Sequence, residues 1–303
     1  MSATPSPAAR LRALLAEPGI LLMPCCYDAL SARLIEEAGF PLSFMSGFSV
    51  SAARLGMPDT GLISYGEMVD QGRSICAAVQ IPVIGDGDTG YGNAVNVKRT
   101  VEGYRQAGFA GIMIEDQVSP KRCGHTLGKE VVARRDALTR LRAAVDARDE
   151  GADIVIVART DARATHGFQE ALYRAEAFAD AGADVIFLEA PVDRDEMKEF
   201  CHRVAKPTLA NMLEGGRTPW VPPNELEELG YKIAAYPVTL LSAAVAAMRR
   251  VLDEVQRGMP ATGLLSFAEL RDVVGFDAYD AVARRYRGES EVPSTPRPPP
   301  HSG

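Results

Sequence analysis

The sequence predicts an α/β fold, a (β/α)8 TIM barrel with a C-terminal helical extension, and three observations carry that prediction. First, four stretches share one order: a helical pattern ends in Gly, an apolar run follows, and a polar residue stands where the run stops. They are "EEAGFPLSFMS", "RQAGFAGIMIED", "ADAGADVIFLEA" and "EELGYKIAAYP", with runs ending near Ser46, Glu115, Glu189 and Tyr236. Gly at that point fits a left-handed helix C-cap, and a short unbroken apolar run suits a strand buried on both faces. Second, four more such runs bring the total to eight, and eight strand–helix alternations with right-handed crossovers fit a closed barrel. Third, the rival doubly wound open sheet lacks its G-x-G-x-x-G after the first run.

Each element follows in order. The run "ILLMPC" (20–25) leads into "DALSARLIEEAG", which places Leu30, Leu34, Ile35 and Ala38 on one helical face with Asp28 as N-cap. The second run stops at Ser46-Gly47. "IPVIGD" (81–86) is the third strand, the fourth stops at Glu115-Asp116, and "DIVIVART" (153–160) is the fifth. The sixth stops at Glu189, "PTLANM" (207–212) is the seventh, and the eighth ends near Tyr236. Beyond the repeat, 241–285 read as helices, "LSAAVAAMRRVLDEV" and "SFAELRDVVGFDAYDAVARRY", with apolar surface that an oligomer could bury. The expected organisation is a flexible start over 1–9, a barrel with its helical extension over 10–287, and a disordered proline-rich tail over 288–303.

Composition narrows the partners. With 303 residues, 47% apolar and 24% charged, the chain has the make-up of a soluble globular protein with material for one large core. A formal charge of -7 gives no global attraction to nucleic acid or an anionic membrane, so neither is an expected partner. A local cationic site for a small acidic substrate remains compatible with it. No segment approaches the apolar length of a membrane span, and residues 1–19 lack the apolar core and cleavage site of a secretory signal. Five cysteines form neither a dense disulfide framework nor a C-x-x-C metal pattern, and the cytoplasm is the expected location.

In a barrel, chemistry collects at the C-terminal ends of the strands. The residues there are Ser46-Gly47, Asp86-Gly87-Asp88, Glu115-Asp116, Arg159-Thr160-Asp161, Glu189 and Asn211, most of them carboxylates. Carboxylates sharing one mouth raise one another's pKa unless a cation neutralises them. A divalent ion is therefore expected at Asp86 and Asp88, a reading that Glu115 and the catalytic candidate Glu189 at equivalent strand ends support, with hard oxygen ligands favouring Mg²⁺, or Mn²⁺, over zinc. A plain D-G turn is the competing reading of "GDGDTGYGN". Arg159 can grip a substrate carboxylate in bidentate fashion or pair with a neighbouring acid. The small residues Ser46 and Gly47 can turn backbone N–H groups toward an anion.

The stretch "SPKRCGH" follows the Glu115-Asp116 pair directly. Gly124 supplies a hinge, Lys121 and Arg122 supply positive charge that lowers the Cys123 thiol pKa, and His125 can orient or relay a proton. A solvated basic loop with an incidental cysteine is the alternative. Cys25, Cys26, Cys76 and Cys201 read as packing residues, and His166 and His202 as loop or helix-surface residues.

Taken together, "SGFSVSAARLGMPD", "GDGDTGYGN", "IEDQVSPKRCGH", "ARTDAR", "FLEAP" and "ANMLEGGRTP" resemble the isocitrate lyase/phosphoenolpyruvate mutase superfamily over roughly residues 10–285. They look closest to the branch with 2,3-dimethylmalate lyase, petal death protein, oxaloacetate hydrolase and carboxyvinyl-carboxyphosphonate phosphorylmutase. The resemblance implies a homodimer or homotetramer whose last barrel helix is swapped between subunits. It implies Mg²⁺ near Asp59, Asp86, Asp88 and Glu115, and substrate carboxylates met by Ser46, Gly47, Arg159 and Asn211. Residues Lys121 to His125, including Gly124, match the family's gating loop, and Cys123 matches the acid that lyases use on the departing enolate.

Departures from the family pattern bear on substrate. Lyases of tricarboxylates carry an arginine just after the loop histidine, where this chain has Thr126 and Leu127. They carry a tyrosine two residues before the Ser-Gly pair, where Phe44 stands here, and Phe48 stands where some relatives have glycine. The expected activity is thus Mg²⁺-dependent C–C cleavage of a substituted malate or a 2-oxo dicarboxylate such as oxaloacetate. A carboxyphosphonoenolpyruvate phosphorylmutase is the second reading, and a catalytically silent barrel serving as an interaction protein is the third.

Overall fold

The structure, a computed structural model, describes residues 5–123 and 128–287. Eight strands form a closed barrel: β1 (Leu21–Cys26), β2 (Ser43–Met45), β3 (Val83–Asp86), β4 (Gly111–Glu115), β5 (Val155–Thr160), β6 (Val185–Leu188), β7 (Thr208–Asn211) and β8 (Ile233–Tyr236). All pair in parallel in sequence order, and β1 closes on β8 with Leu21 opposite Ile233. Side chains alternate across a strand. One set, including Met23, Phe44, Met113, Val157, Phe187 and Leu209, therefore fills the barrel interior. The other set, including Met45, Ile112, Ile156 and Ile186, packs against the outer helices. The expected barrel is present.

The helices are α1 (Pro7–Ala16), α2 (Ala29–Glu37), α3 (Gly47–Val50), α4 (Tyr65–Ala78), α5 (Ala94–Ala107), α6 (Arg134–Asp149), α7 (Ala162–His166), α8 (Phe168–Asp180), α9 (Arg194–Arg203), α10 (Pro223–Leu229), α11 (Thr239–Gln256), α12 (Phe267–Val274) and α13 (Phe276–Arg287), with a π-turn over Ser51–Leu55. α1 begins inside the stretch expected to be flexible. Ser6 caps it by accepting the Ala9 N–H at 3.1 Å, Pro7 sits at its first position, and Leu11 joins the interior cluster. Asp28 caps α2 as expected, accepting the Ser31 N–H at 2.7 Å. Of the apolar face expected there, Ile35 is buried, whereas Leu30 and Leu34 are exposed. Leu34 lines an apolar groove with Leu22, Tyr27, Phe40 and Leu240.

The chain divides into two compact units, 1–247 and 248–303. The second holds the end of α11 with α12 and α13, and none of the residues of α12 or α13 is buried. The segment expected as one helix is two, because Gly275 adopts φ 83° between them. The tail 288–303 lies outside the described residues. Among the described residues no helix is long and apolar enough to cross a membrane.

Candidate active site

Strand parity delivers the site. Cys25, Ser46, Asp86, Glu115, Arg159, Glu189 and Asn211 fall at inward positions near the C-terminal strand ends, and all line one cavity of about 260 Å³. The cavity wall also includes Asp59, Phe48, Lys121, Arg122 and Cys123. The expected residues from separate strands and from the "SPKRC" stretch are thus brought together. Gly124 and His125 lie outside the described residues. His166 and His202 are exposed, as expected.

Two of the expected residues have protein partners on the acidic side. The Gly47 N–H donates to Asp86 Oδ2 at 3.2 Å, and Gly47 is absent from the cavity wall, so that N–H serves Asp86 rather than an anion in the cavity. A Cβ at position 47 would sit 2.5 Å from Asp86 Oδ2, so only glycine permits this approach. Ser46 does face the cavity, while its Oγ accepts the Ser49 N–H at 3.3 Å and caps α3. Asp88 lies beside the wall residue Lys121, whose Nζ is 2.8 Å from Asp88 Oδ1 and 2.7 Å from Asp59 Oδ2. Burial alone would hold the Lys121 ammonium below its usual range, but Asp88, Asp86, Asp59 and Glu115 outweigh burial and raise it well above. Burial pushes the Asp88 carboxyl up to about 6 against the pull of Lys121. Burial likewise lifts Glu115 well above the usual carboxylate range, with Arg159 opposing.

Arg159 takes the ion-pair role as well as a place on the wall. Its guanidinium donates to both Asp161 oxygens at 2.8 and 3.0 Å and lies 3.2 Å from Glu189 and 3.4 Å from Glu115. Asn211 Nδ2 reaches Glu189 Oε2 at 3.5 Å. For Asp161, burial would raise the pKa, but Arg159 and Lys129 hold the carboxyl far below its usual range.

A second layer went unread in the sequence. Lys129 Nζ lies 2.8 Å from Asp161, and Asp116 accepts from Thr160 Oγ1 at 2.7 Å, the Asp161 N–H at 2.9 Å and Arg174 Nη1 at 3.0 Å. Arg174 carried a usable signal. It shares the buried face of α8 with Ala171, Leu172 and Phe178, and a cation in an apolar helical stripe needs a buried acid. Cys25, read as packing, is also on the cavity wall, where burial pushes its thiol well above the usual range.

The donor chemistry fits a hard divalent cation. Asp59 Oδ1 and Glu115 Oε1 are buried with no hydrogen-bond partner among the described residues. Across the described residues, seven buried carboxylates face four buried cations, Lys121, Lys129, Arg159 and Arg174, an excess of three negative charges. Among the described residues no three His, Cys, Asp or Glu side chains form a closed cage, since Lys121 stands between Asp59 and Asp88. An ion that keeps several waters suits such an open oxygen set.

A family model described as phosphoenolpyruvate phosphomutase matches residues 11–256. The chain belongs to the phosphoenolpyruvate phosphomutase family. Within it, the chain is 43% identical to 2,3-dimethylmalate lyase of Eubacterium barkeri over 92% of this chain and 98% of that one. It is 42% identical to a chloroplastic carboxyvinyl-carboxyphosphonate phosphorylmutase of Arabidopsis thaliana over 91% of this chain and 84% of that one. Among solved structures, oxaloacetate acetylhydrolase with 3,3-difluorooxalacetate superposes with a TM-score of 0.89 at 35% identity, covering 95% of this chain and 99% of that one. Phosphonopyruvate hydrolase with oxalate and Mg²⁺ gives 0.83 at 30% identity, covering 93% and 100%. The family's members named here are lyases, mutases and hydrolases, and this member is an enzyme of the same superfamily.

Proposed function

We propose that the protein is a Mg²⁺-dependent lyase that cleaves the C2–C3 bond of a 2-hydroxy, substituted-malate dicarboxylate such as 2,3-dimethylmalate, or, once water has added to C2 to supply the hydroxyl, hydrolyses the corresponding bond of oxaloacetate. The observation that carries this reading is Cys123 on the same cavity wall as Asp86, Glu115 and Arg159. Apolar Phe48, Leu213 and Val238 on that wall support an alkyl-bearing substrate over one with a third carboxylate. The exposed apolar residues of α12 and α13 support a homodimer or homotetramer with exchanged C-terminal helices.

Asp86, Asp88, Glu115 and Asp59 would hold Mg²⁺ or Mn²⁺, which supplies Lewis-acid stabilisation of developing oxyanions when bound. Arg159, with Ser46 and Asn211, meets the substrate carboxylates and fixes the C2–C3 bond in the cavity. Glu189, a wall carboxylate outside the metal set, accepts the C2 hydroxyl proton. The C2–C3 pair then leaves with C3 as an enolate while C2 becomes the carbonyl of a 2-oxo acid. Cys123 donates its proton to C3, and the neighbouring Arg122 supplies positive charge for the resulting thiolate, while Lys121 holds the segment through Asp59 and Asp88. Residues 121–125, with Gly124 as hinge and His125 as orienting group, exclude water from the enolate.

Incubation with Mg²⁺ and 2,3-dimethylmalate, 2-methylmalate, oxaloacetate or methylisocitrate, with detection of 2-oxo acid or oxalate, tests the reading. Turnover of the first or third is expected, and inertness toward all four would remove it. The 42% identity to a phosphorylmutase favours a second reading, formation of a C–P bond from a carboxyphosphonoenolpyruvate-type donor, which phosphorus NMR would detect.

Metal binding should depend on pH with a defined sign. Ligand carboxylates must be ionised, and Asp88 is raised to about 6 with Glu115 also raised, so protons compete with Mg²⁺ below neutrality. The Mg²⁺-induced rise in melting temperature should therefore grow from pH 5 to pH 8. A rise that is equal at both values, measured by thermal shift, contradicts the carboxylate set.

A further inference from the structure

Gln117 is buried, and its amide makes both halves of a backbone-like pair with Arg122. The Arg122 N–H donates to Gln117 Oε1 at 2.9 Å, and Gln117 Nε2 donates to the Arg122 carbonyl at 2.9 Å. That carbonyl belongs to the peptide linking Arg122 to Cys123, so the amide sets the plane from which the cysteine projects. Gln117 is itself held from two directions. Arg140 Nη1 donates to its carbonyl at 2.9 Å and to that of Glu115 at 2.6 Å. An antiparallel bridge joins Gln117 to Val131, flanked by Val118 N–H to Glu130 O and Val132 N–H to Asp116 O, both 2.9 Å. A continuous path of fixed groups thus runs from the end of β4 to the main chain before Cys123. On the preceding residue, Lys121 is pinned through its side chain by Asp59 and Asp88.

We propose that Gln117 is a positioning residue that holds the Arg122–Cys123 peptide so that the thiol stays on the cavity wall. Its kinetic consequence rests on the proton-donor reading of Cys123, whereas the clamp itself does not. Gln117→Met keeps the buried volume and removes both hydrogen bonds. Native wild type and variant are treated with iodoacetamide, and alkylation at each cysteine is followed by mass spectrometry. Loss of two neutral hydrogen bonds should let Cys123 leave the wall and react about tenfold faster, while Cys76 and Cys201 stay within about twofold of wild type. Gln117→Glu, which retains the acceptor for the Arg122 N–H, should give an intermediate rate. Equal Cys123 rates in wild type and Gln117→Met overturn the proposal, as does parallel acceleration of all three thiols, which marks a general loosening. With a substrate that is turned over, kcat should fall about tenfold with KM within about twofold, on the scale of a displaced general acid. A wild-type chain inert toward every candidate substrate removes the lyase reading and leaves the alkylation comparison standing.

Discussion

Cys123→Ser should lower kcat for C–C cleavage about 10²- to 10⁴-fold, the range that a positioned general acid contributes. A serine hydroxyl is a far weaker acid than a thiol, so the enolate waits for a proton from water. The proposed carboxylate-binding groups, led by Arg159, do not include position 123. Oxalate affinity in the presence of Mg²⁺ should therefore stay within about threefold, because a group acting only in the transition state leaves ground-state binding intact. None of the other cysteines offers a substitute. Cys25 shares the cavity wall, but burial, chiefly, keeps its thiol well above the usual range, and Cys26, Cys76 and Cys201 are each pushed up to about 12 by burial. Calorimetric titration of oxalate and a 2-oxo acid assay on the same preparation separate the two quantities. Wild-type turnover by the serine variant would remove the proton-donor role of Cys123.

How much of this was legible in the chain depends on the range of the interaction that fixes each feature. The strands were readable because local pattern sets them: a glycine C-cap such as Gly108, then an apolar run whose inward parity ends on Glu115. The same parity gave Asp86, Arg159, Glu189 and Asn211, since alternation along a strand decides the facing without reference to distant residues. Which groups answer one another was not readable. Lys121 was expected to supply charge near the thiol, yet its partners Asp59 and Asp88 lie 62 and 33 residues away and meet it only when β3 and the loop after β2 close the mouth. The partner of Gly47 was unreadable for a similar reason: its need for a missing Cβ arises from Asp86 at the end of β3. Leu30 and Leu34 follow helical period but stay exposed, because a periodic face shows amphipathicity and not what covers it.

Asp161→Asn should lower the melting temperature at pH 7 by roughly 10 °C, from a loss of about 3–5 kcal/mol when one partner of a buried ion network is removed. The side chain keeps its shape and loses its charge, which leaves Arg159 with only Glu115 and Glu189 opposite it and strips Lys129 of its 2.8 Å partner. Both cations stay buried with less opposing charge, and removing one member of a buried ion network is strongly destabilising. The pH dependence has a fixed sign. Arg159 and Lys129 hold the folded-state carboxyl below its ordinary value near 3.8, so Asp161 contributes stability fully above the unfolded pKa and loses it as pH falls through the folded one. The gap between wild type and variant should be constant from pH 8 to about 5 and shrink below about 4, as the unfolded chain alone takes up the proton. Thermal melts at pH 7, 5 and 3.5 read this directly, and a gap under about 2 °C at pH 7 would contradict the network. The same variant loosens the two hydrogen bonds that orient Arg159, the proposed substrate-carboxylate group, so oxalate affinity should fall together with stability. The main chain beside it has a separate role: Thr160 Oγ1 and the Asp161 N–H hold Asp116, and Asp116 leads through Gln117 to the Arg122–Cys123 peptide. The Asp161 carboxylate therefore orients Arg159 on the cavity wall, while the Asp161 main chain anchors the segment that leads to Gln117.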